Sequence, residues 1–118
     1  MDVSEAILAF SQSEKIKSGL IWANHLSEMC GSISQGRRPG AEKILEALIG
    51  MIGHEIRLTG SITGDKEWVE AEHSINMALV MIRSKVPEES SFHLTNAIIR
   101  ATTLGQKAMS YLKDQGCL

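Results

Sequence analysis

Aromatic residues are scarce in this chain, at 4% of 118 residues. That excludes the row of stacking rings with which proteins hold single-stranded nucleic acid. The core must instead rest on Leu, Ile, Ala and six Met. Proline occurs twice, and β-branched runs are short, which favours helix over sheet. Two cysteines, Cys30 and Cys117, are too few for a disulfide framework. Cys30 falls in an apolar helical pattern and reads as a small core residue. Neither charge is in strong excess: the net charge is −2, and Arg37-Arg38 is the one adjacent basic pair. Such a field gives no reason to expect nucleic acid as a partner. No run of 18 apolar residues occurs, so a membrane span is not expected. Met1-Asp2 opens an acidic segment rather than a basic one leading into an apolar run. A cytoplasmic location is therefore expected. Apolar residues at 43% and charged ones at 22% are ordinary globular usage, and residues 1–118 read as one packed domain.

The apolar spacing is helical throughout. Residues 2–10 predict a short helix capped by Asp2 or Ser4. Ser11-Gln12-Ser13-Glu14 has capping-box spacing and either starts a fresh helix or interrupts a longer one. The next helix is expected over 14–34, with Ile16, Leu20, Ala23, Leu26, Met29, Cys30 and Ile33 on one face. Gln35-Gly36-Arg37-Arg38-Pro39-Gly40 is a clear break. A second helix follows over 41–59, its stripe read as Ile44, Leu45, Leu48, Met51, Ile52 and Glu55. Gly50 and Gly53 weaken it by roughly 1 kcal/mol each relative to alanine, unless another helix approaches closely there. A third spans 66–85 behind Asp65 as N-cap, with Trp68, Ala71, Glu72, Ile75, Ala78, Leu79 and Ile82 inward. The fourth spans 91–115, with Leu94, Ala97, Ile98, Ala101, Leu104, Ala108 and Leu112 inward and Gly116 as its stop. The expected fold class is all-α: an antiparallel up-and-down four-helix bundle with a short N-terminal helical extension.

Two patterns bear on chemistry. His54-Glu55-Ile56-Arg57 resembles the H-box of sensor histidine kinases, His-Glu-(Ile or Leu)-Arg followed by Thr-Pro. The resemblance covers four residues, with Leu58-Thr59 in place of Thr-Pro, and no Gly-rich nucleotide-binding segment accompanies it. It implies a solvent-facing His54 that accepts a phosphoryl group passively, and a neighbouring Glu55 that helps remove its proton. The helical wheel also turns His54 away from the inner stripe. The plainer reading is a surface histidine beside an acid.

The second pattern is Glu70-Ala71-Glu72-His73, which holds a Glu-x-x-His spacing of the kind used in di-iron bundles. His25-Leu26-Ser27-Glu28 has the reverse order. On the wheel His25, His54, His73 and Glu70 point outward, leaving Glu55 and Glu72 as inward acids on facing positions. A metal-binding bundle would use Glu55, Glu72 and His73, although two inward carboxylates are few for such a site. Two buried acids would otherwise share a proton or pair with Arg57, Arg83, Arg100 or Asn76. No nucleophile, oxyanion donor or phosphate loop accompanies them, so no catalytic residue and no cofactor is expected. The leading expectation is a non-enzymatic module that associates with itself as a dimer or with a protein partner. Its contact surface is expected at Trp68, Met77, Val80 and Met81, with Trp22 and Ile99 as further excess apolar surface.

Overall fold

The computed structural model describes all 118 residues. It contains four α-helices and no strand: α1 (Val3–Ser32), α2 (Arg38–Thr63), α3 (Glu67–Arg83) and α4 (Ser90–Asp114). A 3₁₀ turn at Pro87–Glu89 leads into α4. Each helix packs on its neighbours in the cyclic order α1, α2, α3, α4, with α1 on α4 the most extensive pairing. Short connections force consecutive helices antiparallel, so the fold is the expected up-and-down bundle. It measures 55 × 22 × 18 Å. No helix is long and apolar enough to cross a membrane.

The N-terminal extension is helical but not separate. Asp2 caps it by accepting from the Glu5 backbone N–H at 2.8 Å, and α1 then runs without a break through Ser11–Glu14. Ser13 caps nothing; its hydroxyl bonds back to the Phe10 carbonyl at 2.8 Å, and the residue is buried. The helix continues because Ala6, Ala9 and Ser13 carry on the 3–4 spacing of Ile16 and Leu20. Packing of that seam against Ala108 and Leu112 of α4 outweighs the local capping signal. The first turns of α1 and the last of α4 thus form a two-helix end, with its own small cluster of buried residues.

Helix ends follow from the turn residues. Arg38 and Pro39 open α2, three residues before the expected start, since proline suits a first turn. Helix α2 continues through Gly60 and stops at Gly64, whose φ of 71° closes it. Gly60 is not a turn residue. It is the gap through which Trp68 enters: a Cβ there would lie 3.0 Å from the Trp68 Cβ. The N-cap of α3 is Lys66, and Asp65, one residue before it, accepts from Glu67 N at 3.0 Å, with Lys107 Nζ 2.7 Å from its other oxygen. Burial raises the Asp65 pKa, but these hydrogen bonds outweigh it and hold the carboxyl below its ordinary value. Gly116, with φ 75°, follows the end of α4 as expected.

The α3 and α4 stripes sit inward as their spacing predicts, apart from Glu72, which is half-buried at an edge. The stripe of α2 does not. Its buried residues are Glu42, Leu45, Ile49, Ile52, Gly53, Ile56 and Thr59, while Ile44 and Met51 are 73% and 67% exposed. In α1, Leu26 and Met29 are likewise exposed. Only one of the two unusual glycines of α2 meets a neighbouring helix. Gly53 faces Ile75 of α3, with 3.4 Å to a notional Cβ, whereas Gly50 has nothing within 4 Å. Gly50→Ala is therefore expected to raise the unfolding free energy by about 0.5–1 kcal/mol, through helix propensity alone. Chemical denaturation checks this, and a loss would mean that the site is not open.

Candidate interaction surface on α1 and α2

Helices α1 and α2 each carry two apolar seams. The inner seam of α1 steps by threes and fours through Ser13, Ile16, Leu20, Ala23, Ser27 and Cys30, all buried. That of α2 steps likewise through Glu42, Leu45, Ile49, Ile52, Ile56 and Thr59, also buried. One residue earlier runs a second seam of the same period, rotated by about 100°. On α1 it is Leu8, Gln12, Lys15, Gly19, Trp22, Leu26 and Met29, with Ile33 just past the helix end. On α2 it is Ala41, Ile44, Leu48, Met51, Glu55, Leu58 and Ile62. The stripes expected from spacing alone mixed members of both seams, which is why Ile44, Met51, Leu26 and Met29 were placed inward.

The two outer seams border one groove, because α1 and α2 are antiparallel neighbours. Two adjoining concavities share Leu48. One, about 280 Å³, is lined by Ile16, Gly19, Trp22, Met51, Ile52 and the Lys15–Glu55 pair. The other, about 200 Å³, is lined only by apolar residues and Cys30: Leu26, Met29, Ile33, Ala41, Ile44 and Leu45. Trp22 is 64% exposed and Met29 60%, beside the still more open Ile44 and Met51. These are large apolar side chains left in water side by side, not scattered singly.

Polar residues interrupt the outer seams at one level only. Lys15 Nζ lies 2.9 Å from Glu55 Oε1. Gln12 Nε2 donates to Glu55 Oε2 and to Thr59 Oγ1, both at 3.0 Å. The hydrogen bonds from Lys15 and then Gln12 hold the Glu55 carboxyl below its ordinary pKa, against a smaller opposing effect of desolvation. Glu55 is thus an ionised, tethered side chain at the groove's edge. Its place in an inward acid pair is corrected: Glu72 lies on the α2–α3 groove, where Arg57 Nε is 3.9 Å away. The two acids face different helices and share no proton. Of the other expected partners, Arg83 pairs with Glu46 at 2.8 Å and Arg100 with Glu67 at 2.7 Å.

His54 is exposed, on the outer flank of α2, and both oxygens of the adjacent Glu55 carboxylate already hold partners. His25 and His73 are exposed as well. No three His, Cys, Asp or Glu side chains come together in a group able to hold a metal ion, so Glu55, Glu72 and His73 do not form a ligand set. The expected α3 contact surface also needs correction. Trp68 is 1% exposed and belongs to the main core, Met77 and Met81 are half-buried, and Val80 alone of the four is exposed.

One buried charge went unnoticed in the spacing. Glu42 is 3% exposed, with Oε1 3.2 Å from Lys85 Nζ and Oε2 without a partner. Beside it Arg38 donates to the Gly31 and Ile33 carbonyls, satisfying the end of α1. Burial, then the Glu42 charge, pushes the Cys30 thiol up, with Glu88 adding and Arg38 opposing. A thiol kept protonated in this way is inert. The readable signal was the position of Glu42, three and seven residues before Leu45 and Ile49 on the inner seam. No family model, curated protein or solved structure matches the chain.

Proposed function

We propose that this chain is a non-enzymatic, self-associating interaction module, working in the cytoplasm, whose contact surface is the α1–α2 groove. The observation that carries the reading is the outer seam: a second heptad stripe of large apolar side chains, exposed on two adjacent helices. A helix with two such stripes is suited to being sandwiched, and the bundle covers only one of them. Two unpaired cysteines, one buried, fit a reducing compartment.

Sedimentation equilibrium tests the reading. The wild type is expected to dimerise in the micromolar range, and Met51→Glu to weaken the dimer by at least ~10-fold, since it places a charge in a desolvated contact. Val80→Glu on α3 is the control and should leave association unchanged. A wild-type monomer at roughly millimolar concentration would refute self-association.

A second reading, His54 as a passive phosphoryl acceptor, draws support from the exposure of that side chain. Incubation with phosphoramidate should then label the wild type and not His54→Gln; equal labelling of both would end it.

A further inference from the structure

The geometry points to a parallel pair: two copies meeting through their α1–α2 surfaces about a two-fold axis that runs along the helices. This inference rests on self-association through that surface and adds its orientation and register. Around such an axis the four outer helices alternate as α1, α2, the second copy's α1 and its α2. Lys15 and Glu55 face one another at a single level, 2.9 Å apart. Two copies at equal height therefore close a ring in which lysine and glutamate alternate. Every charge gains an opposite charge on its other side, and no like charges become neighbours. A polar layer in an otherwise apolar seam also fixes register, because any slip sets these charges against apolar side chains.

The opposite arrangement, with the axis perpendicular to the surface, fits less well. Centred on the long apolar stretch near Leu26 and Leu48, it would set Lys15 and Glu55 against the second copy's α1–α2 connection. That connection carries Arg37, beside Arg38 at the start of α2, and no carboxylate, so Glu55 would gain a partner but Lys15 would meet like charge and no alternating ring could close. It would also leave Leu58 and Ile62, 46% and 50% exposed, overhanging in water. In the parallel pair both are covered. The open apolar side chains of the groove, with Leu58 and Ile62, amount to on the order of 800 Å² per copy, about what each partner gives to a standard-size interface. Along α1 the flank of the seam is Ser11, Ser18, His25 and Ser32, at every seventh position, and the three serines are short enough for a second helix to approach.

Spin-label distances on the full chain test the orientation. In a Cys117→Ser background, in which Cys30 is buried, a nitroxide is placed at Ser11→Cys or at Ser32→Cys. The parallel pair puts both sets of labels at about 20–30 Å, the width of adjacent helices plus linkers. The perpendicular axis would separate the Ser11 labels by more than about 45 Å, thirty residues of helix rise. Lys15→Glu should weaken the dimer by at least ~10-fold, and Lys15→Glu with Glu55→Lys should recover most of the loss. Short distances at both sites with a rescued charge swap support the proposal. A dimer with distant Ser11 labels overturns the parallel axis while leaving self-association standing. A dimer indifferent to Lys15→Glu overturns the charge ring. A wild-type monomer overturns both this inference and the reading it rests on.

Discussion

Trp68→Ala is expected to lower the unfolding free energy by about 3–5 kcal/mol, the loss typical of removing a fully buried aromatic. The indole is 1% exposed and lies in the main core cluster with Ile56, Ile75 and Ala71. It reaches that position because Gly60 on α2 leaves room at 3.0 Å. Contraction of the core around so large a void would drag α2 toward α3 against their other contacts, so little of the loss can be recovered. The indole N–H has no acceptor, so Trp68→Phe should cost much less, within about 1.5 kcal/mol, as it retains most of the volume and removes an orphan donor. Urea denaturation at a fixed protein concentration measures both, since dimerisation would otherwise shift the midpoint. Trp22→Ala is the contrast. It should alter monomer stability by no more than about 0.5 kcal/mol while weakening association. If Trp68→Ala cost less than about 1 kcal/mol, its ring could not be part of the core.

The two tryptophans show how far the sequence could be read. Helix number and the rough places of the breaks were legible, because glycine and proline act locally and each helix is much longer than its connection; the exact ends were not, since α2 takes in Arg38–Gly40 and runs on through Gly60 to Thr63. The inward faces of α3 and α4 were legible too, since each helix has one dominant stripe: Leu94, Ala97, Ala101 and Leu104 of α4 are all buried. His54 was placed correctly because it lies away from both seams of α2. The faces of α1 and α2 were not legible. Averaging two seams 100° apart yields a direction between them, which turned Glu55 and Met51 inward and hid Glu42. Spacing set Trp68 on the inner stripe of α3 and Trp22 among the excess surface residues, as found, but it also put Trp68 on the contact surface. What takes Trp68 off that surface is Gly60, the small residue opposite it on a different helix. Pairing of that kind is a tertiary fact, and spacing within one helix does not encode it.

Gly105→Leu is expected to cost about 3 kcal/mol, at the upper end of overpacking losses. It should unfold the two-helix end before the rest. Helices α1 and α4 are in tight contact where Gly105 meets Ser13, at the base of that end. A Cβ on Gly105 would lie 2.5 Å from Ser13 Oγ and 3.4 Å from Ser13 Cβ. The buried residues next along this seam, Ala9 and Ala108, are already small, so room for the leucine branches would have to come from displacing Phe10 and Met109, which line the same concavity as Gly105, or from parting the helices. Gly105→Ala is a graded version. It would push aside the Ser13 hydroxyl, which is tied to the Phe10 carbonyl at 2.8 Å, and lose about 1 kcal/mol of hydrogen bond. Roughly the same amount returns as helix propensity, leaving a small net change. Leucine has no such compromise, because its branches must displace Phe10 and Met109 as well as the Ser13 hydroxyl, or part the backbones. Hydrogen exchange should then show amides 6–13 and 104–112 losing protection while those of α3 keep theirs. Uniform loss across all four helices would instead mean that the end and the main core unfold as one unit. Ser13→Gly should relieve Gly105→Ala but not Gly105→Leu, which separates displacement of one hydroxyl from separation of two helices.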